Sequence, residues 1–121
     1  MKLRHFTLDE FDSPDKPGSG ANMDADFLQM LDDARERAGV PFIINSGYRT
    51  VKRNNAVGGV SNSSHLRGYA ADIACTESRN RFHIVRALIS VGFDRIGIGA
   101  TFIHVDNDPN KADDVCWHYY K

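Results

Sequence analysis

The chain has 121 residues, enough for one domain with its own core and no need of disulfide or metal staples. Its 15 Lys and Arg stand against 16 Asp and Glu, a net charge of −1, which argues against nucleic acid as a partner, since phosphate binding needs a cationic surplus. No apolar run approaches the ~18–20 residues that span a bilayer, so no membrane insertion is expected.

The N-terminal MKLRHFTLDEF is charged early and no apolar stretch follows, so the reading is a protein made in the cytoplasm without a secretory signal. Residues 12–22, DSPDKPGSGAN, hold two prolines and two glycines and are expected as an irregular surface segment. From Met23 to Ala38 the pattern turns helical. Phe27, Leu28, Leu31, Ala34 and Ala38 share one face, with Asn22 or Asp24 as cap and Gly39 as stop. PFIINSGYR (41–49) predicts a short strand, and a short helix follows from Thr50 to Ala56 before Gly58-Gly59 breaks it. AADIAC (70–75) reads as a buried strand. Ser78 is expected to cap a second amphipathic helix with Phe82, Val85, Leu88 and Ile89 inward and Gly92 as its stop. DRIGIGA (94–100) and TFIHVDN (101–107) predict a hairpin turning near Gly99-Ala100, and DDVCWHYYK a closing strand. This order is α+β, a small mainly antiparallel sheet with helices packed on it, in one domain over residues 1–121. A monomer is expected. Cys75 and Cys116 form no CxxC pattern; they pair only if the fold brings them together, and reduced, buried thiols are the expectation.

Of the five histidines, His5 and His83 read as structural. His65 lies in a polar, glycine-bearing loop, SNSSHLRGYAAD, that runs into a strand. Asp72 stands at the entry of that strand, where a buried carboxylate needs a hydrogen-bond partner, an opposite charge or a metal. In FIHVD, Phe102, His104 and Asp106 share one strand face. Two imidazoles and a carboxylate make an open zinc site, with the fourth position left to water. On spacing alone this set is only suggestive.

The segment SSHLRGYAAD (63–72) fits S-x-H-x-x-G-x-A-x-D at every specified position, with SGYR (46–49) upstream and FIHVD (102–106) downstream. The chain thereby resembles the zinc D-alanyl-D-alanine carboxypeptidase family, which includes D,D-carboxypeptidases and L-alanyl-D-glutamate endopeptidases. Hedgehog domains share its fold and zinc site. NNAVGGVSNSSHLRGYAADI (54–73) looks like the small single-domain branch of phages and bacteria, and the resemblance covers roughly residues 25–107. It implies Zn2+ held by His65, Asp72 and His104. It places Arg49 near the metal, to hold a peptide carboxylate or to stabilise an oxyanion. It implies that Ser63 lines the site or caps the loop, and that Tyr69 contacts substrate or packs in the core.

Several family members carry an acid three residues before the last zinc histidine, where this chain has Thr101. Asp106 is the nearest replacement. General base, partner orienting a ligand histidine and solvated turn residue all stay open for it. Some members bind zinc through a Trp-His pair that follows a glutamate. Here that position is Val115, so His118 is expected to line the cleft as a substrate contact or to face water. The implied activity is a zinc-dependent peptidase cleaving peptidoglycan stem or cross-link peptides at the cell wall, as a D,D-carboxypeptidase or an endopeptidase. A phage lysin fits the compact form. The alternative is a non-catalytic zinc module that binds peptidoglycan or another protein.

Overall fold

The computed structural model describes residues 2–120. Met1 and Lys121, at the ends of the predicted N-terminal and closing segments, lie outside them. Asp24 caps helix α1 (Ala25–Ala38), its carboxylate accepting the Phe27 N–H at 2.9 Å, and Gly39 is the C-cap. The predicted stripe of Phe27, Leu28, Leu31, Ala34 and Ala38 is buried throughout. Thr50 caps the short α2 (Val51–Ala56) through the Arg53 N–H. Helix α3 (Ser78–Ser90) packs against α1, with Glu77 as its N-cap and Val91 as its C-cap in place of the expected Ser78 and Gly92.

The inward face of α3 differs from the expected one. Ile84, Ala87 and Leu88 are buried, whereas Phe82 and Ile89 are 63% and 59% exposed. Two apolar stripes run along this helix, 84/87/88 and 82/85/89, and only one can face α1. Leu88 belongs to the stripe that does.

Five strands form one sheet in the order β1-β2-β4-β3-β5: β1 (Ile44–Ser46), β2 (Ala70–Ala74), β3 (Arg95–Ile98), β4 (Phe102–Asp106) and β5 (Val115–His118). All pairs are antiparallel except β3–β5, which is parallel. The predicted strand at 41–49 is thus only three residues long, and the β3–β4 hairpin forms as expected. Ile73, Ile103, Ala71, Val105 and Ile96 belong to the buried core that includes the helices' inner faces. The alternate residues face the other way. Register then lines up Ser46, Asp72, His104, Gly97 and Trp117 as one row across all five strands.

The N-terminal segment is pinned more tightly than its composition suggests. Phe6 and Phe11 are buried with ring centroids 5.4 Å apart. The fully buried Asp32 of α1 accepts the backbone N–H groups of Arg4 and His5 at 3.1 and 2.9 Å. Within residues 12–22, Asp12 accepts the N–H groups of Gly18 and Gly20, and Ser13, Ser19 and Gly20 are buried. The rest of that stretch is at the surface as expected, with residues 14–18 exposed, and local side-chain caps let these three positions go inside. Cys75 is buried and free, while Cys116, expected to be buried, is free but exposed: it shares the face of Ile96 but lies on the edge strand β5.

Candidate metal centre

His65 is carried by a 3-10 turn, Ser64–Arg67, capped by the Ser63 hydroxyl, which accepts the His65 N–H at 3.3 Å. Gly68 ends the turn at φ 78°, and a Cβ there would lie 2.4 Å from the Asn22 carbonyl oxygen, so only glycine fits. Buried Asp108 locks the turn from below: Ser64 donates to its Oδ2 at 2.6 Å, and Arg67 pairs with the same oxygen. His65 Nδ1 donates to the Gly47 carbonyl at 2.7 Å, which turns Nε2 toward Asp72 Oδ1 at 3.4 Å.

His104 is oriented in the same manner from the opposite side. Its Nε2 lies 2.7 Å from Asp106 Oδ2, and its Nδ1 lies 2.9 Å from the same Asp72 Oδ1. Asp106 is buried behind the ring. Its second oxygen accepts from Arg95 Nε at 2.6 Å and from the Asp108 N–H at 3.2 Å. The free oxygen of Asp72 receives Arg49, whose other nitrogens reach the Ser46 hydroxyl at 3.0 Å and Asn54 Oδ1 at 3.3 Å.

One donor atom from each of His65, Asp72 and His104 lies within 4.8 Å of the others. Tetrahedral coordination with ~2.0–2.1 Å bonds sets neighbouring donors ~3.3 Å apart. The 2.9 and 3.4 Å separations around Asp72 Oδ1 bracket that value. Each imidazole also has its remote nitrogen anchored, as metal-binding histidines require. The donor set therefore fits a small divalent cation. Burial alone would raise the Asp72 carboxyl, but the hydrogen bonds from His104 and His65 outweigh it and hold Asp72 well below the usual range. Burial likewise resists charge on His104, and its bonds to Asp106 and Asp72 win, raising its pKa. Asp106 stays below the usual carboxylate range despite burial, through His104 and Arg95.

The site opens into a cleft of about 420 Å³. Arg49, Ser63, His65, Asp72, His104 and Asp106 all line it. Trp117 forms one wall, its ring 5.5 Å from that of His104, with Tyr119 and Phe102 beyond. Gly97 makes room for it: a Cβ there would sit 2.6 Å from the indole nitrogen. His118 takes the next position on β5, where strand alternation turns it outward; it is exposed and does not line the cleft. Tyr69 is also outside the cleft, its ring 5.7 Å from the Arg67 guanidinium. Thr101 is exposed at the β3–β4 turn, and among the described residues the only carboxylates lining the cleft are Asp72 and Asp106.

The sequence profile of the peptidase M15 family matches residues 4–106. The chain belongs to the peptidase M15 family. The zinc D-Ala-D-Ala carboxypeptidase of Streptomyces albus G is 52% identical to it over 33 residues, which make up 27% of this chain and 13% of that relative. The chain thus matches only a small part of that relative's length. The M15 match takes in His65, Asp72, His104 and Asp106 and ends before Lys111, Trp117 and Tyr119. Sequence reasoning missed Trp117, Asp108, Asn54 and Arg95. Trp117 stands two strands from His104, with Gly97 between them in the same row.

Proposed function

We propose that the chain is a zinc-dependent peptidase that hydrolyses peptide bonds in the stem or cross-link peptides of peptidoglycan, acting at the cell wall as a D,D-carboxypeptidase or endopeptidase. The convergence of two anchored imidazoles on one Asp72 oxygen carries this reading. His65 Nε2, Asp72 Oδ1 and His104 Nδ1 would hold the zinc. When bound, zinc supplies Lewis-acid activation of water and of a carbonyl group at neutral pH. The Gly47 carbonyl and Asp106 fix the two rings so that their lone pairs stay aimed inward. Arg49 holds Asp72 in register and presents positive charge toward the oxygen of the scissile carbonyl, where negative charge develops. Ser63 keeps the His65 turn closed. Trp117 walls the cleft beside His104.

Asp106 acts in this reading as the orienting partner of His104 rather than as general base, since both its oxygens are already engaged. A second reading, a non-catalytic zinc module that binds peptidoglycan, is favoured by one observation: no uncommitted carboxylate lines the cleft among the described residues. Mass spectrometry of defined pentapeptide and cross-linked muropeptides, incubated with added zinc or with chelator, separates the two. Zinc-dependent products are expected, and their masses distinguish loss of terminal D-alanine from an internal cut. One bound zinc per chain with no product from any substrate contradicts the peptidase and leaves the binding module.

A further inference from the structure

We infer that Lys111 is the anchor for a carboxylate of the peptide substrate; this rests on the peptidase reading and adds a recognition element to it. The cleft's charges are paired internally with one exception. Arg49 is bound through all three of its nitrogens, and Asp72 and Asp106 each have both oxygens engaged. Lys111 lines the same cleft, half-buried, and its ammonium has no hydrogen-bond or ion-pair partner among the described residues.

Its backbone is held on both sides by groups that also support the metal centre. The Lys111 N–H donates to the Asp108 carbonyl at 3.3 Å, and the Asn110 N–H to Asp108 Oδ1 at 3.0 Å. On the other side, Arg95, which orients Asp106, also binds the Ala112 carbonyl. The lysine stem therefore starts from a platform fixed relative to His65 and His104. An ammonium with no counter-ion among the described residues, in the same cleft as the internally paired Arg49, is the positive group there left free to meet an anionic ligand. A lysine meets a carboxylate as a point charge with three rotatable donors and tolerates either a chain terminus or an acidic side chain.

The test uses zinc-loaded protein and two matched peptide pairs: C-terminal acid against amide, and side-chain Glu against Gln. Cleavage gives KM. A reduced-amide, uncleavable version of each peptide gives binding through quenching of Trp117, the chain's single tryptophan, which lies in the cleft. The native protein is expected to prefer one acid form by ~10-fold to 100-fold, the range for a charge-assisted hydrogen bond. In Lys111→Met that preference collapses to about one, and Lys111→Arg retains it. The pair that responds identifies which carboxylate is gripped. An acid-to-amide ratio unchanged between native protein and Lys111→Met overturns the anchor. A Lys111-dependent quench without any cleavage keeps the anchor and overturns the peptidase, and no quench by any peptide overturns both.

Discussion

Two carboxylates, Asp32 on α1 and Asp72 on β2, are both held below the usual pKa range yet do different things. Asp32, on α1, is fully buried and closed: two backbone N–H groups and the Arg4 guanidinium occupy it. Asp72, on β2, faces two imidazole nitrogens that converge on one of its oxygens. The first carboxylate ties the N-terminal segment down. The second brings three ligand atoms together where one cation can bridge them. Burial and charge alone do not separate a structural acid from a metal-binding one; the nature of the facing groups does.

The comparison is broken most severely at Asp72. Asp72→Ala is expected to abolish zinc retention and to lower peptide turnover by ~10³-fold or more, measured by metal analysis and hydrolysis of muropeptides. Asp32→Ala should do the reverse. It takes the acceptor from the Arg4 and His5 N–H groups and is expected to cost ~2–4 kcal/mol in urea unfolding, with zinc stoichiometry per folded chain unchanged.

Asp106→Asn sharpens the contrast within the site. As an orienting residue, its loss should weaken zinc affinity by ~10–100-fold, with turnover recovering when zinc is in excess. Unaltered zinc affinity with turnover lost at saturating zinc would instead mark Asp106 as the base.

The smallest effect is on acid stability. The Asp32 carboxyl is buried, which opposes its charge, but the N–H groups of Arg4 and His5 prevail and hold its pKa below the usual value. The folded state therefore binds this proton less tightly than the unfolded state does. The stabilisation is complete above the unfolded pKa of ~3.9 and is lost as pH falls through the lower folded value. Urea melts from pH 6 down to 2 should show this acid loss, and Asp32→Asn should flatten it. An equal slope in both proteins would contradict the assignment.

Helix α1 was legible because its one apolar stripe, from Phe27 to Ala38, had a single way to face the core. Helix α3 was not, because Phe82 and Ile89 give it a second stripe and the choice belongs to the partner helix. The sequence reading named His65, Asp72 and His104, and the fold brings them together, since β2 and β4 pair with Asp72 opposite His104. Asp106 was ambiguous for a physical reason. Strand alternation puts it on the His104 face, but only the Arg95 contact across β3 shows that its oxygens are spent behind the ring. His118 and Trp117 differ by one strand position, and that single step decides which of them meets the cleft. The parallel register of β5 on β3 sets it, a pairing that no local pattern in residues 113–120 announces.

The most direct test of the central claim is calorimetric titration of metal-free protein with zinc, comparing the native chain with Asp72→Ala and Asp32→Asn. The account predicts one tight site in the native protein, the same site in Asp32→Asn, and none in Asp72→Ala. A native chain that binds no zinc, or an Asp72→Ala chain that binds it undiminished, would contradict the account.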